Sequence, residues 1–144
     1  MRERIDCFLP CDNLAVAEQT LAQLRDNKTV QHIALLVEQA FADAHEAPEN
    51  TSFIVAEGLL SSATMFSMAA HTDAEYALFC MKTSPLMLGP SALERMLRAA
   101  RDTDAALVYA ERCLCMSHKK RLVILMNIQI FLTTSDLLLI LYLH

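Results

Sequence analysis

Apolar positions along this chain come in two rhythms that alternate. Short, nearly unbroken runs such as Ile5–Pro10 (IDCFLP), residues 32–39 (HIALLVEQ), 52–57 (SFIVAE), 75–80 (EYALFC) and 104–110 (DAALVYA) are spaced by stretches with helical periodicity. Continuous apolar runs of this length suit strands covered on both faces, as in a parallel sheet. Between the first two runs, Leu14, Ala17, Leu21 and Leu24 recur at helical spacing, and Asn13 stands where an N-cap is expected. Ser61 or Ser62 predicts a helix through about His71, with Met65, Met68 and Ala69 inward. Gly89-Pro90 predicts a helix start, followed by an inward stripe of Leu93, Met96, Leu97 and Ala100. The acidic stretch 40–51 with its proline reads as an exposed connection. Strand alternating with helix predicts an α/β fold, a mostly parallel open sheet with helices on both faces and right-handed connections.

Charge and alanine divide the chain near residue 113. Residues 1–112 carry 9 basic and 16 acidic side chains, a net of −7, whereas 113–144 carry 3 and 1, a net of +2. Twenty alanines precede residue 113 and none follows it. The expected organisation is therefore a domain over 1–112 and a hydrophobic tail over 113–144. No basic stripe with interleaved aromatics is present, which argues against a nucleic-acid partner. Five cysteines without a signal sequence point to free thiols in a reducing, cytoplasmic setting.

Chemistry-bearing residues concentrate at the carboxyl ends of the expected strands, where open α/β sheets bind their ligands. They are Pro10-Cys11-Asp12 after the first strand, Glu38-Gln39 at the end of the second, and Met81-Lys82-Thr83-Ser84 after the fourth. Dinucleotide-fingerprint, P-loop and nucleophile-elbow motifs are absent from the sequence, which argues against dehydrogenases, P-loop enzymes and α/β-hydrolases. Cys113-x-Cys115-x-x-His118 holds three soft ligands, but its spacing is tighter than structural zinc favours and a fourth ligand is not evident. Cys11, between a strand end and a helix start, reads as a small buried side chain in preference to a reactive thiolate. The methionines read as gap-filling core.

In order, FLPCDN, HIALLVEQ, DAEYALFCMKTSPLMLGPSALERML and DTDAALVYAE resemble the segments of family 2 glycosyltransferases, inverting nucleotide-sugar enzymes of the GT-A fold. The resemblance covers residues 4 to 112. It implies a nucleotide-sugar partner, a UDP-sugar among the candidates, with Pro10, Cys11 and Asp12 under the base and Glu38 contacting it. In that family an Asp-x-Asp turn brings carboxylates to Mg or Mn on the donor diphosphate. Here Met81 and Thr83 take the two aspartate positions, with Lys82 between them. A thioether and a neutral hydroxyl are poor ligands for a hard cation. The resemblance leaves Thr83 and Lys82 at the diphosphate position, with two readings of Lys82 open, a direct partner of the diphosphate or a solvated lysine in a turn. It leaves no metal ligands and no catalytic base, so activity is expected only of complete relatives. The alternative is a GT-A-like binding or regulatory module without catalysis.

Three readings of the tail remain open. Residues 121–143 are long and apolar enough to enter a membrane after a basic flank, although a central Asp136 costs about 2.5–3.5 kcal/mol on the insertion scale. A shifted reading frame or truncated copy explains the abrupt loss of alanine equally directly, and ordinary core is the third. An uncovered sheet edge with such a tail also favours self-association.

Overall fold

The computed structural model describes residues 4–59, 61–80, 83, 85–103, 107–111 and 137–142, the last two segments by backbone course alone. In chain order the elements are β1 (Ile5–Pro10), α1 (Leu14–Arg25), β2 (Val30–Val37), α2 (Gln39–Ala44), β3 (Ser52–Val55), α3 (Ser62–Ala70), β4 (Tyr76–Cys80), α4 (Ala92–Thr103), β5 (Leu107–Glu111) and β6 (Leu137–Tyr142). They form a six-stranded sheet in the order β3-β2-β1-β4-β6-β5. The first four are mutually parallel, and β6 runs antiparallel between β4 and β5. The chain is an α/β protein with a Rossmann-like, mostly parallel sheet.

Alternation along the central strands separates two cores. Ile5, Cys7 and Leu9 of β1, Ile33, Leu35 and Val37 of β2, and Tyr76, Leu78 and Cys80 of β4 face α1 and α4. Phe8, Ala34, Leu36, Ala77 and Phe79 face the other way, toward Met68 of α3. Both faces of these strands are covered, which is why their sequences run apolar without a break.

Local signals set most helix limits. Asn13 caps α1 by accepting from the amides of Ala15 (2.9 Å) and Val16 (3.4 Å). Ser61 caps α3 through the Thr64 amide, and the Thr64 hydroxyl, itself buried, donates to the Gly58 carbonyl at 2.7 Å. Met65 and Met68 turn inward as expected; Ala69 does not, and is exposed. α4 begins at Ala92, because Ser91 takes a left-handed conformation (φ 52°) that interrupts a helix from Pro90.

Two stretches differ from the pattern read in the sequence. β2 spans Val30–Val37, two residues earlier than the apolar run suggested, so Glu38 leaves the strand and becomes the N-cap residue of α2. Part of the expected exposed connection is α2 itself. Phe41 anchors it, stacked on His45 (4.2 Å between ring centroids) and edge-on to Phe53 of β3. Gln39 also bonds Asp43 one turn on.

Handedness holds one further difference. Moving from β1 to β2 to β3, the chain travels one way along the sheet with α1 and α2 on the first face; from β3 to β4 it returns with α3 on the second face. Those three crossovers share a hand. From β4 to β5 the chain again moves in the return direction, yet α4 lies on the first face, so this crossover has the opposite hand. The segment before α4 is strapped to α1: the Thr20 hydroxyl accepts from the Leu86 amide, and Gln23 bonds both Leu86 and Leu88. That strap delivers α4 to the α1 side.

Of the tail, Leu137–Tyr142 is a strand within the sheet. Residues 112–136, with Cys113, Cys115, His118 and most of the 121–143 membrane reading, lie outside the described residues. No helix among the described residues is long and apolar enough to cross a membrane.

Candidate functional site

Strand order reverses between β1 and β4, since β1 leads outward to β2 while β4 lies on its other side. In open α/β sheets ligands bind outside the carboxyl ends of the strands, at the point where strand order reverses. Here the connections after β1 and β4 both lead to the first face, to α1 and α4. Residues at that edge are fixed by register. Pro10, the last residue of β1, stands opposite Leu36, and the next amide, Cys11, donates to the Leu36 carbonyl at 2.9 Å. Proline is tolerated in this central strand because it sits at the strand's end.

Beyond that bond the chain turns outward. Asp12 is exposed, Asn13 begins α1, and the helix N-terminus opens at the same edge. Its first amides are already taken by the Asn13 side chain. One strand over, Glu38 is exposed; its carbonyl accepts from Phe41 and Ala42, and its carboxylate makes no capping bond. Pro10, Cys11, Asp12 and Glu38 are thus brought to neighbouring strand ends. Thr83, half-buried, follows the end of β4. Met81, Lys82 and Ser84 lie outside the described residues.

Cys11 is a buried thiol. Desolvation pushes its pKa up, the nearby Asp12 carboxylate adds to this, and the Asn13 amide acts the other way. The thiol form is favoured, in keeping with a packing role. Deeper in the same face, burial pushes Cys80 up to about 12 and Cys7 well above its ordinary value.

The donor chemistry at this edge does not fit a hard divalent cation. Position 83 supplies a neutral hydroxyl, and position 81 is a thioether in sequence. Asp12, Glu38 and Glu57 belong to three different strand ends, and among the described residues no three His, Cys, Asp or Glu side chains gather closely enough to hold an ion. At this edge Pro10 and Cys11 are buried, whereas Asp12 and Glu38 are exposed single carboxylates able to accept from N–H or hydroxyl donors.

Thr20 and Gln23 shape this region and were not legible as site-forming residues. Thr20 is buried, and with Gln23 it holds the main chain that follows β4. The available signal was two polar residues beside Leu21 and Leu24 on the inward face of a helix. No protein-family model and no curated protein sequence matches this chain.

Proposed function

We propose that this chain is a nucleotide-sugar-binding unit of the family 2 glycosyltransferase type, without a complete catalytic site of its own. The observation that carries the reading is the β1–β4 switch point, with Pro10, Cys11 and Asp12 on one strand end and Glu38 on the next. The base lies over Pro10 and the Cys11 backbone, and the Asp12 and Glu38 carboxylates accept its polar hydrogens. Lys82 and Thr83 meet the diphosphate, the ammonium offsetting phosphate charge. In active relatives this binding precedes inverting transfer of the sugar to an acceptor hydroxyl. No residue here is assigned as the base for that step.

A second reading, a binding or regulatory module with no catalysis, is favoured by one specific feature: Met81 and Thr83 stand where the family carries metal-binding aspartates. Calorimetric titration of the full chain with a UDP-sugar, with and without Mn²⁺, separates the two. Binding that is indifferent to manganese and weakened by Glu38→Ala supports the second reading, a binding module without catalysis. Manganese-enhanced binding supports the first, a nucleotide-sugar unit of the transferase type. Absence of any heat with UDP-, GDP- and TDP-sugars removes both.

A further inference from the structure

Charge on this molecule is sorted by position. Residues 38–57 carry five acidic side chains (Glu38, Asp43, Glu46, Glu49, Glu57) and no Lys or Arg, a net of −5 that equals the whole chain's net charge. All five are exposed, on α2 and the turns flanking β3. At the opposite end of the sheet, α4 presents Arg95, Arg98 and Arg101 to solvent at successive i, i+3 positions. Its Glu94 is drawn inward by Asn27, and Arg101 pairs with Asp102, which leaves Arg95 and Arg98 as the clearest cationic positions.

These two charged helices flank the two edges of the sheet. α2 packs beside β3, and α4 beside β5 and β6, while β3 and β5 are the outermost strands. Both helices lie on the same face. Both edge strands run in the same direction, since β5 is antiparallel to β6 as β4 is. Among the described residues each edge strand has a sheet partner on one side only, and Val55 at the β3 edge is 43% exposed. A second copy placed by simple translation along the sheet would set β3 against β5 in parallel and the acidic α2 side against the arginines of α4. Exposed ion pairs contribute little singly, so the contact needs the strand edges and the charge match together.

We propose that this chain self-associates head to tail, the β3–α2 end of one copy meeting the β5–α4 end of the next. Such a contact is heterologous and does not close on itself, so association grows with concentration beyond a dimer.

Sedimentation velocity of the full chain tests this from about 0.01 M to about 1 M salt, over which the Debye length shrinks from about 30 Å to about 3 Å. The expected result is a weight-average mass that climbs with protein concentration at low salt and falls to a single chain at high salt. Glu46→Lys with Glu49→Lys, and separately Arg95→Glu with Arg98→Glu, should each stay single chains at low salt. Mixed in equal amounts the two variants should associate again, because every reversed face then meets a reversed partner. A variant whose circular dichroism departs from wild type is replaced by its Gln counterpart. A wild type that stays a single chain, association that survives high salt or either reversal, or a mixture that fails to associate overturns the proposal. So does a wild type that stays single while phosphatidylserine vesicles capture it through Arg95 and Arg98, which would make that face a membrane contact.

Discussion

Gln23 of α1 holds Leu86 from sixty-three residues away, its amide nitrogen donating to the Leu86 carbonyl at 2.7 Å while its oxygen accepts from the Leu88 amide at 2.8 Å. One side chain thereby satisfies two peptide groups of a segment with no secondary structure of its own, between the carboxyl edge of the sheet and α4. Thr20, one turn earlier, takes the Leu86 amide. Gln23→Ala leaves partly buried backbone groups unpaired and is expected to cost about 1–3 kcal/mol. Thr20→Val removes one acceptor and should cost less. Urea unfolding gives the stability, and amide exchange at Leu86 and Leu88 gives the local effect. Exchange as slow as in wild type would mean the strap is held by packing alone.

Asp6 makes a comparable bond deeper in the molecule. It is 1% exposed, and Oδ2 accepts from the Asp73 (2.8 Å) and Ala74 (3.1 Å) amides, tying the start of β1 to the entry of β4. Its other oxygen is buried without a partner among the described residues. Asp6→Ala should destabilise by about 1–3 kcal/mol through two orphaned amides. Asp6→Asn keeps one acceptor and should fall between the two. An Ala variant within about 0.5 kcal/mol of wild type would behave as an ordinary surface change and refute the clamp.

The buried thiols predict a stability that declines in alkali. Burial raises Cys80 from the ordinary 9.0 to about 12. Above pH 9.0 the unfolded chain releases this proton while the native chain keeps it, so the native state binds more protons and stability falls as pH rises. The contribution is complete below pH 9.0 and is lost progressively toward about 12. Cys7 shifts in the same direction and adds to the slope. Urea midpoints at rising pH should drop in wild type and flatten in a Cys7→Ala, Cys80→Ala variant. Native-state alkylation should likewise spare both thiols until the chain unfolds. Rapid labelling at neutral pH under native conditions would contradict their burial.

Register supplies a test of the antiparallel insert. Leu138 of β6 lies directly opposite Cys80 of β4, within the separation that a disulfide spans. Leu138→Cys should therefore oxidise to Cys80 within one chain, lowering the free-thiol count by two under denaturing, non-reducing conditions. Leu137→Cys, which stands opposite Glu111 instead, should leave it unchanged. Equal oxidation of both variants would mean that β6 does not hold this register.

Much of this architecture is written in short-range pattern. Asn13 and Ser61 cap helices because a side-chain oxygen can reach an amide a few residues on, and β1 lies over Ile5–Pro10 as its apolar run and closing proline indicate. Inward Leu93, Met96, Leu97 and Ala100 follow equally from period. The placement of Pro10, Cys11, Asp12 and Glu38 at the carboxyl edge comes directly from the strand ends. α2 is not legible in the sequence because its six residues bury none completely and only Phe41 and Ala42 in part, too few for a period to show among acids and a nearby proline.

What the sequence determined by itself, then, is local: where strands and helices form, which sides turn inward, and which polar residues end the strands. Only the tertiary structure decided that Leu137–Tyr142 enters between β4 and β5, that α4 shares a face with α1, and that Gln23 grips Leu86. Those outcomes depend on groups tens of residues apart meeting in space. Periodicity reports which side of an element is apolar and carries no information about which partner will cover it.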